Sequence, residues 1–201
     1  MMSTGFMSAE HADIPIGGSV AVFAAGPVGL MAIVGARMRG AGQILAVESV
    51  PRRQELARTF GADEVIDFTK KDAVAEILSR TSGEGVDSAI EALGSDLTFM
   101  NCVKVTRPGG TISNVGYHGE GEFVRIPRAE WGVGMSDKTI RTGLCPGGKE
   151  RMGRLLRLLE VGRVDPSPMT THRFSFDEIE KAFGMMQTKA DGMLKPLIRF
   201  G

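Results

Sequence analysis

Residues Ser19–Leu30 read SVAVFAAGPVGL, and the fold follows from how this stretch changes character along its length. Ser19–Phe23 is a short valine-rich apolar run suited to a buried strand. The run breaks at Ala24-Ala25-Gly26-Pro27-Val28-Gly29, and apolar residues then recur at helical spacing through Leu30, Met31, Ile33, Val34 and Met38. Strand, tight glycine turn and helix are the context that a dinucleotide-binding fingerprint requires. There the backbone passes close to a pyrophosphate, and the helix N-terminus points free N–H groups at the anion. The pattern G-x-G-x-x-G is incomplete here, because Ala24 stands in its first place, with Gly26 and Gly29 in the second and third. The second glycine permits close approach to phosphates and the third permits close packing of helix on strand. Taken alone, the turn serves equally well as an ordinary βα connection.

Outward from this stretch, Ser8–Ile14 reads as a short helix ended by Pro15. Strands are expected at 43–47, 64–66, 86–91 and 110–115, with helices near Pro51–Phe60, Asp72–Arg80 and Ser95–Val105 between them. Including 19–23, five strands alternating with helices predict a parallel sheet covered on both faces. The rhythm changes after Gly116. A sixth strand is expected at 138–143, then a helix at 149–160, a strand near 169–174, a helix at 176–188 and a last strand at 194–200. The fold class is therefore α/β: a Rossmann-type doubly wound, six-stranded parallel sheet with a small C-terminal α+β appendage. The turn Cys145-Pro146-Gly147-Gly148 is the candidate boundary between residues 4–144 and residues 145–201.

With 201 residues, 42% of them hydrophobic, the chain can bury a substantial core. Lys+Arg and Asp+Glu are equal at 24 each, so no global charge draws it to nucleic acid or a membrane surface. Two cysteines make no disulfide framework, which predicts a reducing, cytoplasmic setting. The N-terminal MMSTGFMSAEHADIP lacks a basic region followed by an apolar core, so it does not read as a signal peptide. His11, His118, His172, Cys102 and Cys145 show no pair at a recurrent metal-ligand spacing. Cys102 reads as a small buried hydrophobe.

Glu48 follows Gly29 by 19 residues and closes the second strand. A carboxylate there can accept the hydroxyls of an adenosine ribose and repels the extra phosphate of NADP; it can equally be a solvated strand end. Arg52 and Arg53 read either as surface charge on a helix or as partners for a 2′-phosphate. The fourth strand ends in Glu91-Ala92-Leu93-Gly94 and the fifth in Val115-Gly116-Tyr117, so both deliver glycine-containing turns to the crevice beyond the sheet.

Several segments carry a family resemblance: MMSTGF, AAGPVGLMAI, AVES, FGADEVID, GVDSAIEALG, RPGGTISNVGYHGEGE, PRAEWGVGMSDKTIRTGLCPGG, RVDPS and KPLI. Together they resemble the zinc-dependent medium-chain alcohol dehydrogenases, with the closest likeness to the bacterial and archaeal NADP-dependent secondary alcohol dehydrogenases. The resemblance implies a cofactor domain followed by the C-terminal piece of a catalytic domain whose GroES-like barrel, with its zinc ligands, is not matched here. It places a pyrophosphate at Gly26, Pro27 and Val28; Gly29, with Glu48, Ser49 and Arg53 on the adenosine side, completes the candidate cofactor contacts on the reading of the residues themselves. It sets the nicotinamide half against Ala92, Leu93, Gly94, Val115, Gly116 and Leu144, and Tyr117 joins them as a cofactor-binding candidate from its place at the end of the fifth strand. Tyr117, Leu144 and Cys145 become this chain's share of an alcohol or ketone pocket.

The resemblance supplies no catalytic residue and no metal ligand from this chain. Members specific for NADP carry Gly-Ser-Arg at the end of the second strand and a tyrosine further on. Here those positions read Glu48-Ser49-Val50 and Phe68, which predicts NAD in preference to NADP. Trp131 and Met135 also match the resembled subgroup, in which tetramers are usual, so a homo-oligomer is expected. The apolar side chains Phe174, Phe176, Phe183, Met185, Met186, Leu194, Leu197 and Ile198 are expected to lack a partner. Two alternatives remain at this point: a non-catalytic nucleotide-binding or interaction module, and a zinc-independent quinone or enoyl reductase, which lacks the WGVGM and CPGG segments.

Overall fold

A computed structural model describes residues 1–201. Helix α1 (Met2–His11) leads into β1 (Ser19–Phe23), α2 (Pro27–Met38), β2 (Gln43–Val47), α3 (Pro51–Thr59) and β3 (Glu64–Ile66). Then come α4 (Ala73–Arg80), β4 (Val86–Glu91), α5 (Asp96–Val105), β5 (Thr106–Asn114) and β6 (Thr139–Thr142). The six strands form one parallel sheet in the order β3-β2-β1-β4-β5-β6. The chain runs outward from β1 in one direction and outward from β4 in the other. The strand order therefore reverses between these two neighbours, and a crevice opens beyond their carboxyl ends.

Both faces of the sheet are buried, which explains the continuous apolar runs of its central strands. Along β1, Val20 and Val22 enter a large core with α1 and α2, while Ala21 and Phe23 enter a second core under α4 and α5. Side chains alternate across a strand, so one pentapeptide feeds both cores. Asp72 and Ser95 cap α4 and α5, their side chains accepting from Ala75 N–H and Thr98 N–H.

The first helix begins at Met2, not Ser8, and ends before Ile14. Gly5 lowers its intrinsic propensity, but packing on α2 overrides that deficit. A Cβ at Gly35 of α2 would sit 2.9 Å from Ala9 Cβ, so small residues let the two helices approach closely. The fifth strand also begins earlier than expected, at Thr106. Its pairing jumps from Val86–Thr106 to Ser88–Thr111, so Arg107-Pro108-Gly109-Gly110 forms an irregularity inside the strand and not a turn before it.

Beyond Cys145 come α6 (Lys149–Glu160), β7 (Thr170–Ser175), α7 (Ile179–Thr188) and β8 (Lys195–Arg199), with β7 and β8 paired in parallel. The expected start of α7 at Phe176 is a 3₁₀ turn, set by a capping box between Ser175 and Glu178. The large core continues across position 145 through Leu155, Val164, Met169 and Leu194. Arg151 reinforces the junction: it donates to Ser3 Oγ at 2.8 Å and to both Glu10 carboxylate oxygens at 3.1 Å. Phe174 and Leu194 are accordingly buried, contrary to the expectation of an unpartnered face. Phe176, Phe183, Met186 and Leu197 are exposed. No helix is long and apolar enough to cross a membrane.

Candidate functional site

The turn between β1 and α2 lies at the point where strand order reverses. Gly26 is the N-cap of α2, with no side chain to cap the helix, and Pro27 occupies the first turn. The leading N–H groups of α2 are thus open to an external anion, with the helix dipole behind them. A Cβ at Gly26 would meet nothing within 4 Å, so the space in front of the turn is clear. Gly29 is different: a Cβ there would lie 1.9 Å from the Ala24 carbonyl oxygen. Glycine at this third place is what lets α2 seat on β1. Ala24, in the first place, takes φ +75, a left-handed conformation that a glycine adopts without strain and an alanine does not.

Glu48 lies beside this turn with only 5% of its surface exposed. Its Oε2 accepts from Ala25 N–H at 3.0 Å, and its Oε1 accepts from Ser49 N–H at 2.9 Å and Val50 N–H at 3.0 Å. Arg53 Nη1 stands 3.9 Å from Oε2. A carboxylate offers about four lone-pair directions, so three backbone donors leave room for one more. Glu48 is neither a solvated strand end nor a free bidentate acceptor. It braces the glycine turn against the start of α3 and retains one acceptor site.

Glu48, Ser49 and Arg53 line a cleft of about 830 Å³ with Phe23, Ala24, Phe68 and Leu93. Lys71, Lys104 and Lys189 also line it, together with Asp72 and Glu130. Phe68 is half exposed at the mouth.

At the other side of β1, the ends of β4 and β5 interlock. Glu91 is completely buried; its carbonyl accepts from Val115 N–H and Gly116 N–H at 3.0 and 3.2 Å. Its Oε1 accepts from Leu93 N–H and Gly94 N–H at 2.9 Å and from Thr98 Oγ1 at 2.7 Å. Gly94 and Gly116 pack backbone to backbone, leaving no room for a side chain on either. Ala92 lies in the same turn, its N–H donating to the Phe23 carbonyl at 3.1 Å. Glu91 carries no motif of its own; the only sequence signal is one acid ending an otherwise apolar strand.

Tyr117 borders a smaller cleft of about 620 Å³ with Gly94, Asp96, His118 and Glu120, and neither Leu144 nor Cys145 is part of it. Tyr117 and Leu144 are 87% and 97% exposed. Leu144 and Cys145 follow β6, whereas Tyr117 follows β5. The Cys145 thiol donates to the Pro146 carbonyl at 3.4 Å. Cys102 is fully buried in the second core; burial, then the charge of Glu91, pushes its thiol well above the ordinary range. No group of three or more His, Cys, Asp or Glu residues could hold a metal ion.

Residues 27–160 match the family model described as zinc-binding dehydrogenase. The NADP-dependent isopropanol dehydrogenase of Thermoanaerobacter brockii is 50% identical over 199 residues, which are 98% of this chain and 56% of that protein. The probable NADP-dependent isopropanol dehydrogenase of Mycoplasma pneumoniae (strain ATCC 29342 / M129 / Subtype 1) is 47% identical over all of this chain and 57% of its own length. Among solved structures, the alcohol dehydrogenase TADH from Thermus sp. ATN1 superposes with a TM-score of 0.89 at 34% identity. It matches 100% of this chain and 57% of that one. The chain therefore spans a little over half the length of the relatives it matches. Sequence, sheet order and superposition agree, and the chain belongs to the zinc-binding dehydrogenase family.

Proposed function

We propose that this chain is the nicotinamide-dinucleotide-binding portion of an alcohol dehydrogenase acting on secondary alcohols and the corresponding ketones. The observation that carries the reading is the β1–α2 turn: an uncapped helix N-terminus, clear space at Gly26 and a glycine required at position 29. Gly26, Pro27, Val28 and Gly29 receive the pyrophosphate, and Glu48, Ser49 and Arg53 border the adenosine ribose. The turns Ala92-Leu93-Gly94 and Val115-Gly116-Tyr117 support the nicotinamide half. When bound, the nicotinamide ring supplies a hydride acceptor or donor at its C4 position. The protein's part is to orient the ring by backbone contact and to fix the pyrophosphate.

Between the two nicotinamide cofactors, the proposal favours NAD(H). The T. brockii and M. pneumoniae relatives are named for NADP, so this preference rests on this chain's own residues. A 2′-phosphate placed roughly 5 Å from the Glu48 carboxylate costs about 3 kcal/mol per unit charge at an effective dielectric near 20. Arg53, 3.9 Å from that carboxylate, offsets part of the cost, leaving a preference of roughly tenfold.

Zinc does not fit this chain alone, which gathers no ligand set for it. Without a Lewis acid to stabilise the alkoxide, residues 1–201 are expected to bind cofactor and not to turn over. An assay of secondary alcohol oxidation by residues 1–201, with NAD and zinc supplied, tests this. Turnover abolished by a zinc chelator would contradict it.

A further inference from the structure

The cleft beside Glu91 holds an arrangement that the cofactor reading leaves unused. Oε2 of Glu91 is buried without a hydrogen-bond partner, although every other polar atom of that side chain and its carbonyl is engaged. Such an orphaned carboxylate oxygen is costly unless a donor reaches it. The ionisable group nearest to it is His118, whose Nε2 lies 3.6 Å away and whose side chain is 13% exposed.

Carboxamide and carboxylate oxygens and one aromatic ring lie against that imidazole, and the Ser95 and Tyr117 side chains line the same cleft. Asn114 Oδ1, at the end of β5, is 3.0 Å from Nε2. Asp96 Oδ1, at the start of α5, is 3.6 Å from Nδ1, which has no other partner. The Phe99 ring of α5 meets the imidazole edge-on, and Glu120 lines the same cleft on the loop of His118 itself. No lysine or arginine lines this cleft. Both ring nitrogens therefore face oxygen atoms. A neutral imidazole has one N–H donor and the imidazolium has two, so the protonated ring alone offers a donor on both sides.

We propose that Glu91 and His118 are positioning residues of the nicotinamide half-site, an inference that rests on the cofactor reading above. Protonated His118 draws the 117–121 loop toward the buried carboxylate and holds the 92–94 and 115–117 turns at their working separation. When His118 loses its proton, Nδ1 or Nε2 presents a lone pair to a carboxylate, and the loop is released. Nicotinamide-side affinity then declines as pH rises. Glu48, Ser49 and Arg53 of the adenosine side follow β2, which lies on the opposite side of β1 from β4.

The test titrates the full chain with NADH and with ADP-ribose, which lacks only the nicotinamide, from pH 5.5 to 8.5. The ratio of NADH to ADP-ribose affinity is expected to fall about fivefold across that range, the size of one partly buried ion pair. His118→Gln keeps a neutral amide and is expected to flatten the ratio at its high-pH value while leaving ADP-ribose affinity unchanged. Glu91→Gln is expected to do the same where it folds, and His118→Gln decides the matter where it does not. A flat ratio in the wild type, or a wild-type profile in His118→Gln, with ADP-ribose still bound, overturns the positioning role alone. Failure of both ligands to bind at every pH overturns the cofactor reading, and this inference with it.

Discussion

The same chemical change, glycine to alanine, should have opposite effects at three helical positions, and the structure gives the sign at each. At Gly29 the new Cβ would sit 1.9 Å from the Ala24 carbonyl oxygen and 3.0 Å from its carbon. Both are backbone atoms that cannot swing aside, so the turn would have to open by more than about 1 Å to restore ordinary contact. That separates α2 from β1 and disturbs Ala24, which already holds φ +75. Overpacking of this kind costs about 3 kcal/mol, against a gain of at most about 1 kcal/mol in helix propensity. A net loss of about 2 kcal/mol remains. At Gly184 in α7 a Cβ meets nothing within 4 Å, and at Gly153 in α6 only the flexible end of Arg157 at 4.0 Å. There the propensity gain stands alone, so each alanine stabilises by about 0.5 to 1 kcal/mol.

Urea unfolding followed by circular dichroism reads all three variants. The midpoint should fall by about 1 M for Gly29→Ala and rise by a few tenths of that for the other two. Gly29→Ala should also weaken NADH binding at least tenfold, because the anion-facing N–H groups move with the turn. A Gly29→Ala protein as stable as wild type would refute the steric account of the fingerprint's third place.

Two further predictions concern single side chains. Burial pushes the Asp87 carboxyl up, but hydrogen bonds from the Ser19 N–H at 2.7 Å and hydroxyl at 2.9 Å, and from Arg107 at 2.7 Å, bring it below its ordinary value. A depressed folded value means the contribution is fully present above about pH 4 and is lost as pH falls through the folded value. Asp87→Asn should therefore cost about 1 to 2 kcal/mol at pH 7, with the gap to wild type closing below pH 4; a pH-independent gap in urea unfolding would contradict this. Of the two free thiols, Cys145 is partly exposed and Cys102 is buried with its thiol pushed up. A colorimetric thiol reagent should modify one cysteine in the native protein and both in denaturant.

Much of the framework was readable because local signals and tertiary demands agree. In β1, an apolar residue at every position from Val20 to Phe23 suits a strand buried on both sides, and the Gly29-to-Glu48 spacing marks the end of β2. Where local signals conflict with packing, the reading drifted. Gly5 and the methionines around it do not announce a helix, yet α1 starts at Met2 because α2 offers a surface to cover. Pro108-Gly109-Gly110 is turn chemistry, but β5 takes those residues in as an irregularity opposite β4. At the site, the sequence marks Glu48 as an acid in the right place without disclosing that three backbone N–H groups already occupy it. It shows Glu91 only as an acid at a strand end and His118 only as an isolated histidine, since their relation depends on two loops meeting beyond the sheet. The resemblance assigns Leu144 and Cys145 to a pocket with Tyr117, and neither lines the cleft that Tyr117 borders.

The most direct test of the central claim is calorimetric titration of residues 1–201 with NADH and NADPH in parallel, on wild type and Glu48→Gly. The account predicts saturable binding of both, with NADH about tenfold tighter in the wild type. Removing the carboxylate should narrow or reverse that ratio. Absence of binding by either cofactor would contradict the assignment of the β1–α2 turn, and tighter wild-type binding of NADPH would contradict the role given to Glu48.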